Sequence, residues 1–291
     1  MRLLITGCNG QLGRSLHDLS TEHPEHSYVW TDIDRLDLTD AQAVSRAVEE
    51  ADVDMIVNCA AFTNVDGAEE HEAEALQANA DAVANLARTG KPLIHISTDY
   101  VFSGEGWLPY RETDTPRPNT AYGRTKWEGE KRLMALSPDS LIIRTAWLYS
   151  PYGKNFVKTM LAAAEARDEL RVVYDQIGSP TYALDLARLI FAVISAPRRP
   201  AGIYHFTNEG VCSWYDFTRE IVRQARCLQG QDRYAARITP IRSEEYTYKT
   251  PRPHYSVLDK KKVKDTFGID IPYWADSLSH CLRQLLSAGG C

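Results

Sequence analysis

Short apolar runs along the chain alternate with longer stretches in which apolar residues recur every three or four positions. Leu3-Leu4-Ile5, Tyr28-Val29-Trp30, Met55-Ile56-Val57 and residues 93–96 and 141–148 have the length and apolar density of buried strands. Between them, helical spacing covers 11–19, 41–51 with Asp40 as N-cap, 67–89 and 120–136, and Gly90-Lys91-Pro92 stops the third of these helices. Strand followed by helix, repeated this way, predicts an α/β chain with a doubly wound parallel sheet and helices on both faces. Ser150-Pro151-Tyr152-Gly153 breaks the pattern. Beyond it the spacing predicts helices at 155–167, 184–195, 214–227 and 276–286, the last ending before Gly289-Gly290, and strands at 170–174 and 203–206. Residues 229–256 read as loop and short strands. Two domains follow from this reading: 1–150, joined by a returning segment at about 175–200, and a smaller one over 151–291.

The 291 residues carry 33 Lys and Arg against 39 Asp and Glu, a formal charge of −6. A mildly acidic surface repels a phosphate backbone, so nucleic acid is not an expected partner. No apolar run is long enough to span a bilayer, and the opening MRLLITGCNG has too short an apolar stretch for a signal-peptide core. The cysteines at 8, 59, 212, 227, 281 and 291 form no Cys-x-x-Cys pair and show no metal-ligand spacing. Scattered cysteines of this kind fit a reducing compartment, and a cytoplasmic location is the expectation.

Gly7-Cys8-Asn9-Gly10-Gln11-Leu12-Gly13 follows the first strand and opens the first helix. Gly7 and Gly10 permit a tight turn and close approach to a pyrophosphate, and Gly13 lets helix pack near strand. The helix N-terminus then offers N–H groups and partial positive charge to phosphates. Asp32, ending the second strand, has the position of an acid that accepts the ribose hydroxyls, which favours NAD. Arg35 is placed to receive a 2′-phosphate, so NADH and NADPH both stay open. Ala61, Phe62 and Thr63 follow the third strand, where small residues admit the cofactor; Asp37-Leu38 resembles a segment that covers the adenine.

Tyr122 and Lys126 stand at i and i+4, on one face of a helix. An ammonium near a phenol favours the phenolate and is expected to lower the tyrosine pKa by about one to three units. The pair then makes an acid–base group for interconverting hydroxyl and carbonyl. Thr98, ending the fourth strand, should face the same crevice, because ligands in open α/β sheets sit outside the carboxyl ends of the strands. Its hydroxyl can hold the reacting oxygen beside Tyr122.

Taken together, these motifs resemble the extended short-chain dehydrogenase/reductase superfamily, with its Rossmann domain, and within it the dTDP-4-dehydrorhamnose reductases. The carriers are the 7–13 loop and residues 58–66 (NCAAFTNVD), 97–102 (STDYVF), 122–126 (YGRTK), 144–149 (RTAWLY), 155–160 (NFVKTM) and 175–181 (DQIGSPT). The resemblance covers nearly the whole chain. It implies NAD(P)H-dependent reduction of the 4-keto group of a dTDP-sugar in a smaller C-terminal sugar-nucleotide domain. Tyr122 would donate the proton, Lys126 would orient the nicotinamide ribose, Thr98 and Asp99 would contact the sugar, and Trp147 would pack on it. The family often shows Arg-Pro-x-Asn-Ser near its C-terminus; here Arg252-Pro253-His254-Tyr255-Ser256 puts tyrosine in place of asparagine. Arg252 remains a partner for a diphosphate.

Related dehydratases place Asp-Glu after the threonine, and Asp99-Tyr100 lacks that glutamate. A sugar-nucleotide 4-epimerase and a non-catalytic regulatory subunit of the same fold stay as alternatives. Glu69, Glu70, Glu72 and Glu74 read as a solvated helix face, with a Mg2+ contact at a subunit interface as the sharper alternative; a homodimer is an admissible assembly. Lys260 to Lys262 reads as a basic surface run. No metal ligand is assigned.

Overall fold

The computed structural model describes residues 1–230 and 232–287. Gly289-Gly290 and Cys291 lie outside the described residues. Five strands, β1 (Arg2–Thr6), β2 (Ser27–Thr31), β3 (Met55–Asn58), β4 (Leu93–Thr98) and β5 (Leu141–Thr145), join a sixth, Gly202–His205, in one sheet. Its order is Gly202–His205, β5, β4, β3, β1, β2, and every pairing is parallel. Chain order reverses at β1, between β3 and β2, which opens the crevice where this architecture binds ligands.

Successive strand residues face opposite sides, and both sides are covered. Leu3, Ile5, Val57 and Ile94 pack on one side with helix α1 (Gln11–Ser20) and the helix Ala183–Ser195. Leu4, Ile56 and Ile142 pack on the other with α2 (Ala41–Ala51), the helix Ala82–Arg88 and Leu133. Double burial explains why these strands read as continuous apolar runs. Asp40 caps α2 as the sequence predicts, its side chain accepting from the Gln42 and Ala43 N–H groups.

A second core gathers Tyr149, Val157, Leu170, Phe217, Trp274 and Leu278. Around it the strands Glu169–Val173 and Arg237–Ile241 pair in parallel. The helix Trp214–Gln229 is closed at its start by a reciprocal capping box between Ser213 and Asp216.

Three expectations are corrected. The helix expected over 67–89 is broken into Val65–Glu70, Glu72–Leu76, a π-helical turn Gln77–Asp81 and Ala82–Arg88. His71 leaves helical geometry, and Asn79 in the π turn is drawn onto Phe62 and Thr125 by side-chain hydrogen bonds. The strand expected over 141–148 ends at Thr145, because Trp147 turns the chain with φ +49° and Leu148–Tyr149 pairs instead with Thr181–Tyr182. Lys260 is buried rather than exposed, its ammonium 3.3 Å from Glu209, and a short helix, Lys261–Phe267, follows it.

Cys8, Cys59, Cys212, Cys227 and Cys281 are all free thiols. Among the described residues, no helix is long and apolar enough to cross a membrane.

Candidate active site

A cleft of about 850 Å³ lies across the carboxyl ends of the strands, bounded by Thr6, Asp32, Cys59, Thr98 and Thr145. The loop after β1 forms its floor. Gly7 holds φ +65°, and a Cβ there would press on the Cys59-Ala60 backbone; one on Gly13 would collide with Gly7 and Cys8. Glycine at both positions therefore fixes how closely the loop, α1 and the end of β3 approach. Gly10 stands at the N-cap of α1 without a side chain to cap it, so the first-turn N–H groups stay open to an anion. Gln11 is held by Ser150 and Asn155, each donating to its Oε1 at 3.0 Å.

At one end of the cleft, the Asp32 carboxylate accepts from the Asn9 and Ile33 N–H groups, both at 2.8 Å. Those bonds aim it while leaving lone pairs for hydroxyls. Leu38 and Asp37 also line the cleft, the Asp37 carboxylate accepting from Thr39; Ala61, Phe62 and Thr63 line it after β3, with Phe62 packed in the cluster that holds Tyr122. Arg35 lies with Arg14 and His17 in an adjoining pocket of about 480 Å³.

At the other end stand Thr98, Asp99, Tyr122 and Lys126. The helix Ala121–Leu136 that carries Tyr122 and Lys126 is fixed at its start. Thr120 accepts from the Gly123 N–H at 3.1 Å, and Glu69 accepts from the Ala121 N–H at 2.7 Å. A Cβ on Gly123 would collide with the Tyr100 carbonyl, and one on Gly129 with the Asn79 carbonyl. These two glycines set the helix against the end of β4 and against the π turn. The π turn thus marks the site, as such turns often do.

Burial pushes the Tyr122 phenol up to about 12, the Thr98 hydroxyl pulling it down and Asp99 pushing it further up. This corrects the expectation that Lys126 lowers it. Lys126 is itself buried and drawn down to about 8 by desolvation, against the pull of Glu130 and Cys59. Its ammonium donates at 2.7 Å to the Ile96 carbonyl rather than reaching for the phenol. Behind it, Glu130 accepts from Ser97 at 2.5 Å and from Arg144 at 2.6 Å. Glu130 and Arg144 are both fully buried, so this pair ties the helix to β4 and β5; removing one partner would cost about 3–5 kcal/mol.

Asp99 lies next to Thr98, whose hydroxyl donates to Asp99 Oδ1 at 2.9 Å. Burial pushes its carboxyl up to about 7, against the hydroxyls of Thr98 and Ser256. Oδ2 is buried with no hydrogen-bond partner among the described residues. Trp147 closes this end, its ring stacked on Trp214 with centroids 3.5 Å apart. Gly178 lies under the same indole, where a Cβ would sit 2.6 Å from a ring carbon. The 175–181 segment therefore braces Trp147 from one side and Trp214 from the other.

All the residues singled out from the sequence for cofactor, substrate or catalysis line this cleft except Arg35, in the adjoining pocket, and Arg252. Arg252 is held at 2.9 Å by both carboxylate oxygens of Asp66, and its Nη1 is buried without a partner among the described residues. The acidic run is engaged in pairs: Glu69 and Glu72 with Arg124, and Glu70 with Lys249. No cluster of three or more His, Cys, Asp or Glu among the described residues is placed to hold a metal ion. Sequence patterns assign no role to Lys154 and Asn155, which line the cleft, nor to His95, Glu130 and Arg144 beneath it. Their segments stand out, but a buried charge shows itself only through its partner.

The RmlD substrate binding domain family matches residues 1–287. The spore coat polysaccharide biosynthesis protein SpsK of Bacillus subtilis is 39% identical, with 99% of each chain covered. The dTDP-4-dehydrorhamnose reductase of Aggregatibacter actinomycetemcomitans is 40% identical over 96% of this chain and 97% of its own. The crystal structure of dTDP-4-dehydrorhamnose reductase from Bacillus anthracis in complex with NADP is 36% identical, with a TM-score of 0.91, over 97% of this chain and 99% of that one.

Proposed function

The chain belongs to the RmlD substrate binding domain family, and from that membership we propose that it reduces the 4-keto group of dTDP-4-dehydro-L-rhamnose to give dTDP-L-rhamnose. The observation that carries this reading is the convergence of Thr98, Tyr122 and Lys126 on one end of a cleft whose other end is built for a dinucleotide. The donor set fits NADH or NADPH: the open N–H groups of α1 for the diphosphate, Asp32 for the ribose, and Arg35 with Arg14 next to it for a 2′-phosphate. Bound there, the reduced nicotinamide supplies the hydride.

The protein supplies the rest. With substrate bound, the Thr98 hydroxyl turns from Asp99 Oδ1 to donate to the carbonyl oxygen and holds it beside Tyr122. As hydride reaches the carbon, negative charge grows on that oxygen, and Tyr122 protonates it. A phenol kept protonated by burial is loaded for this step at neutral pH. Asp99 and Trp147 position the sugar, and Arg252, paired with Asp66 outside the cleft lining, is the cation offered to the diphosphate of the sugar nucleotide. The sheet of the first 150 residues and its returning segment hold the dinucleotide. The second core carries Trp214 and Gly178, the braces behind Trp147.

The test is to mix the purified protein with NADH or NADPH and dTDP-4-dehydro-L-rhamnose. Stoichiometric loss of the reduced-nicotinamide absorbance is expected. An epimerase would consume no net cofactor, and a regulatory binder would give no product; either result overturns the reading.

A further inference from the structure

His95 lies on β4, fully buried, with one ring nitrogen facing Asn58 and the other facing Lys126. The orientation of Asn58 is fixed from outside the ring. Its Oδ1 accepts from the Ala60 backbone N–H at 3.1 Å and from the Thr6 hydroxyl at 2.7 Å. A backbone N–H can only donate, so Oδ1 is the oxygen and Nδ2 faces His95 Nδ1, 3.1 Å away. An amide nitrogen can only donate in turn. Nδ1 is therefore the acceptor, and a neutral imidazole must carry its proton on Nε2. Nε2 stands 3.4 Å from Lys126 Nζ. An N–H directed at an ammonium sets donor against donor; directed at a neutral amine, it finds a lone pair.

We propose that His95 is a positioning residue for the reduction: fixed by Asn58, it presents an N–H to Lys126 that stabilises the amine form and makes Lys126 a ready source of the proton that reloads Tyr122. This rests on the reductase reading. The Tyr122 O–H bond breaks as its proton passes to the sugar oxygen, while the sugar carbon is reduced by hydride from the dinucleotide. The tyrosinate takes up, through water in the cleft, a proton released by the Lys126 ammonium, which faces the Ile96 carbonyl and not the phenol. The resulting amine accepts the His95 Nε2–H, then recovers its own proton from water.

The surroundings of Lys126 agree with this assignment. From its own helix it faces Glu130, from the segment after β3 Cys59, and from β4 His95 and the Ile96 carbonyl, while Tyr122 lines the same cleft. Glu130 favours the ammonium, but its charge is matched by Arg144. Burial holds the Cys59 thiol well above its usual range, so it stays uncharged. Burial and the neighbouring Lys126 hold His95 well below its usual range, so the ring stays neutral.

Two variants test the hydrogen-bond polarity in opposite ways. His95→Leu removes the N–H. Asn58→Asp keeps the ring but replaces the fixed donor with a carboxylate, which draws the ring proton to Nδ1 and leaves Nε2 as an acceptor for the ammonium. In both, the alkaline limb of the kcat–pH profile should move up by about one unit, corresponding to a tenfold change in the lysine equilibrium, with KM for the sugar nucleotide little changed. If His95→Leu does not fold, Asn58→Asp alone decides. The second readout needs no turnover: in protein labelled with ¹⁵N-histidine, the His95 ring, assigned by its absence in His95→Leu or, if that does not fold, in His95→Gln, should carry its proton on Nε2 around neutral pH and on Nδ1 in Asn58→Asp. A wild-type ring protonated on Nδ1, or an alkaline limb unmoved in the variants that fold, overturns the proposal. Because the ring tautomer is read without substrate, a protein that fails to reduce the sugar while keeping the Nε2 tautomer would fault the reductase reading and not the hydrogen-bond chain.

Discussion

Asp99 shows how burial at a single residue sets both stability and chemistry. Its carboxyl is raised from 3.8 to about 7, chiefly by desolvation. Between these values the folded protein holds a proton that the unfolded chain has released. Stability therefore falls as pH rises from about 4 to about 7 and stays at the lower level above that. A tenfold change in a protonation equilibrium is worth about 1.4 kcal/mol, so the effect is on the order of a few kcal/mol. Asp99→Asn should raise the melting temperature at pH 8 and gain little at pH 4. Thermal melts at the two pH values check this; an equal difference at both would contradict it. At this scale the sequence is informative about identity and less so about electrostatics. Tyr122, Lys126 and Thr98 are legible from spacing and from the strand-end rule. The raised phenol is not, because it depends on how deeply the ring is buried and on where the Lys126 ammonium points.

Among the elements, the helix Ala121–Leu136 decides whether the site exists. Helix propensity alone favours alanine over glycine at Gly123 by about 0.5–1 kcal/mol. Packing opposes it, since the new Cβ would overlap the Tyr100 carbonyl, a backbone atom that cannot rotate away. Overpacking of this kind typically costs about 1–3 kcal/mol and shifts the backbone, so packing wins. Gly123→Ala should lower the melting temperature, and kcat should fall more than tenfold as Tyr122 moves off its axis. Unchanged kcat in a well-folded variant would show that the helix position is not critical. The inner strands of the sheet are legible because they are buried on both faces and read as plain apolar runs; β2, at the edge, is only half-buried. The break in 65–88 is not. It arises from Asn79 bonding to Phe62 and Thr125, partners that periodicity cannot reveal. Trp147 likewise holds a φ of +49°, which its residue type disfavours, because Thr181 and Trp214 fix it from outside its own segment.

For the whole molecule, the question is how two cores serve one cleft. The first, on either side of the sheet, places the dinucleotide end; the second reaches the cleft through Trp214, stacked on Trp147. Trp214→Ala should raise KM for the sugar nucleotide at least several-fold while leaving the dissociation constant for NADPH unchanged, since Trp214 does not itself line the cleft and acts through Trp147. A loss of NADPH binding of the same size would show that the two ends are not independent. The regular βα half is readable from the sequence because its elements pair with neighbours in the chain. Pairing of Arg237–Ile241 with Glu169–Val173 joins distant segments, and no local pattern announces it. The central claim is that the Tyr122 phenol protonates a sugar oxygen while hydride arrives at the adjoining carbon. It is tested most directly by supplying NADPH carrying deuterium at both C4 positions of the nicotinamide and analysing the sugar product. Wild-type protein should place one deuterium at C4 of the sugar, and Tyr122→Phe should do so about 10²–10⁴ times more slowly, the range for removing a general acid, with NADPH binding intact. Deuterium absent from C4, or transferred equally fast by Tyr122→Phe, would contradict the account.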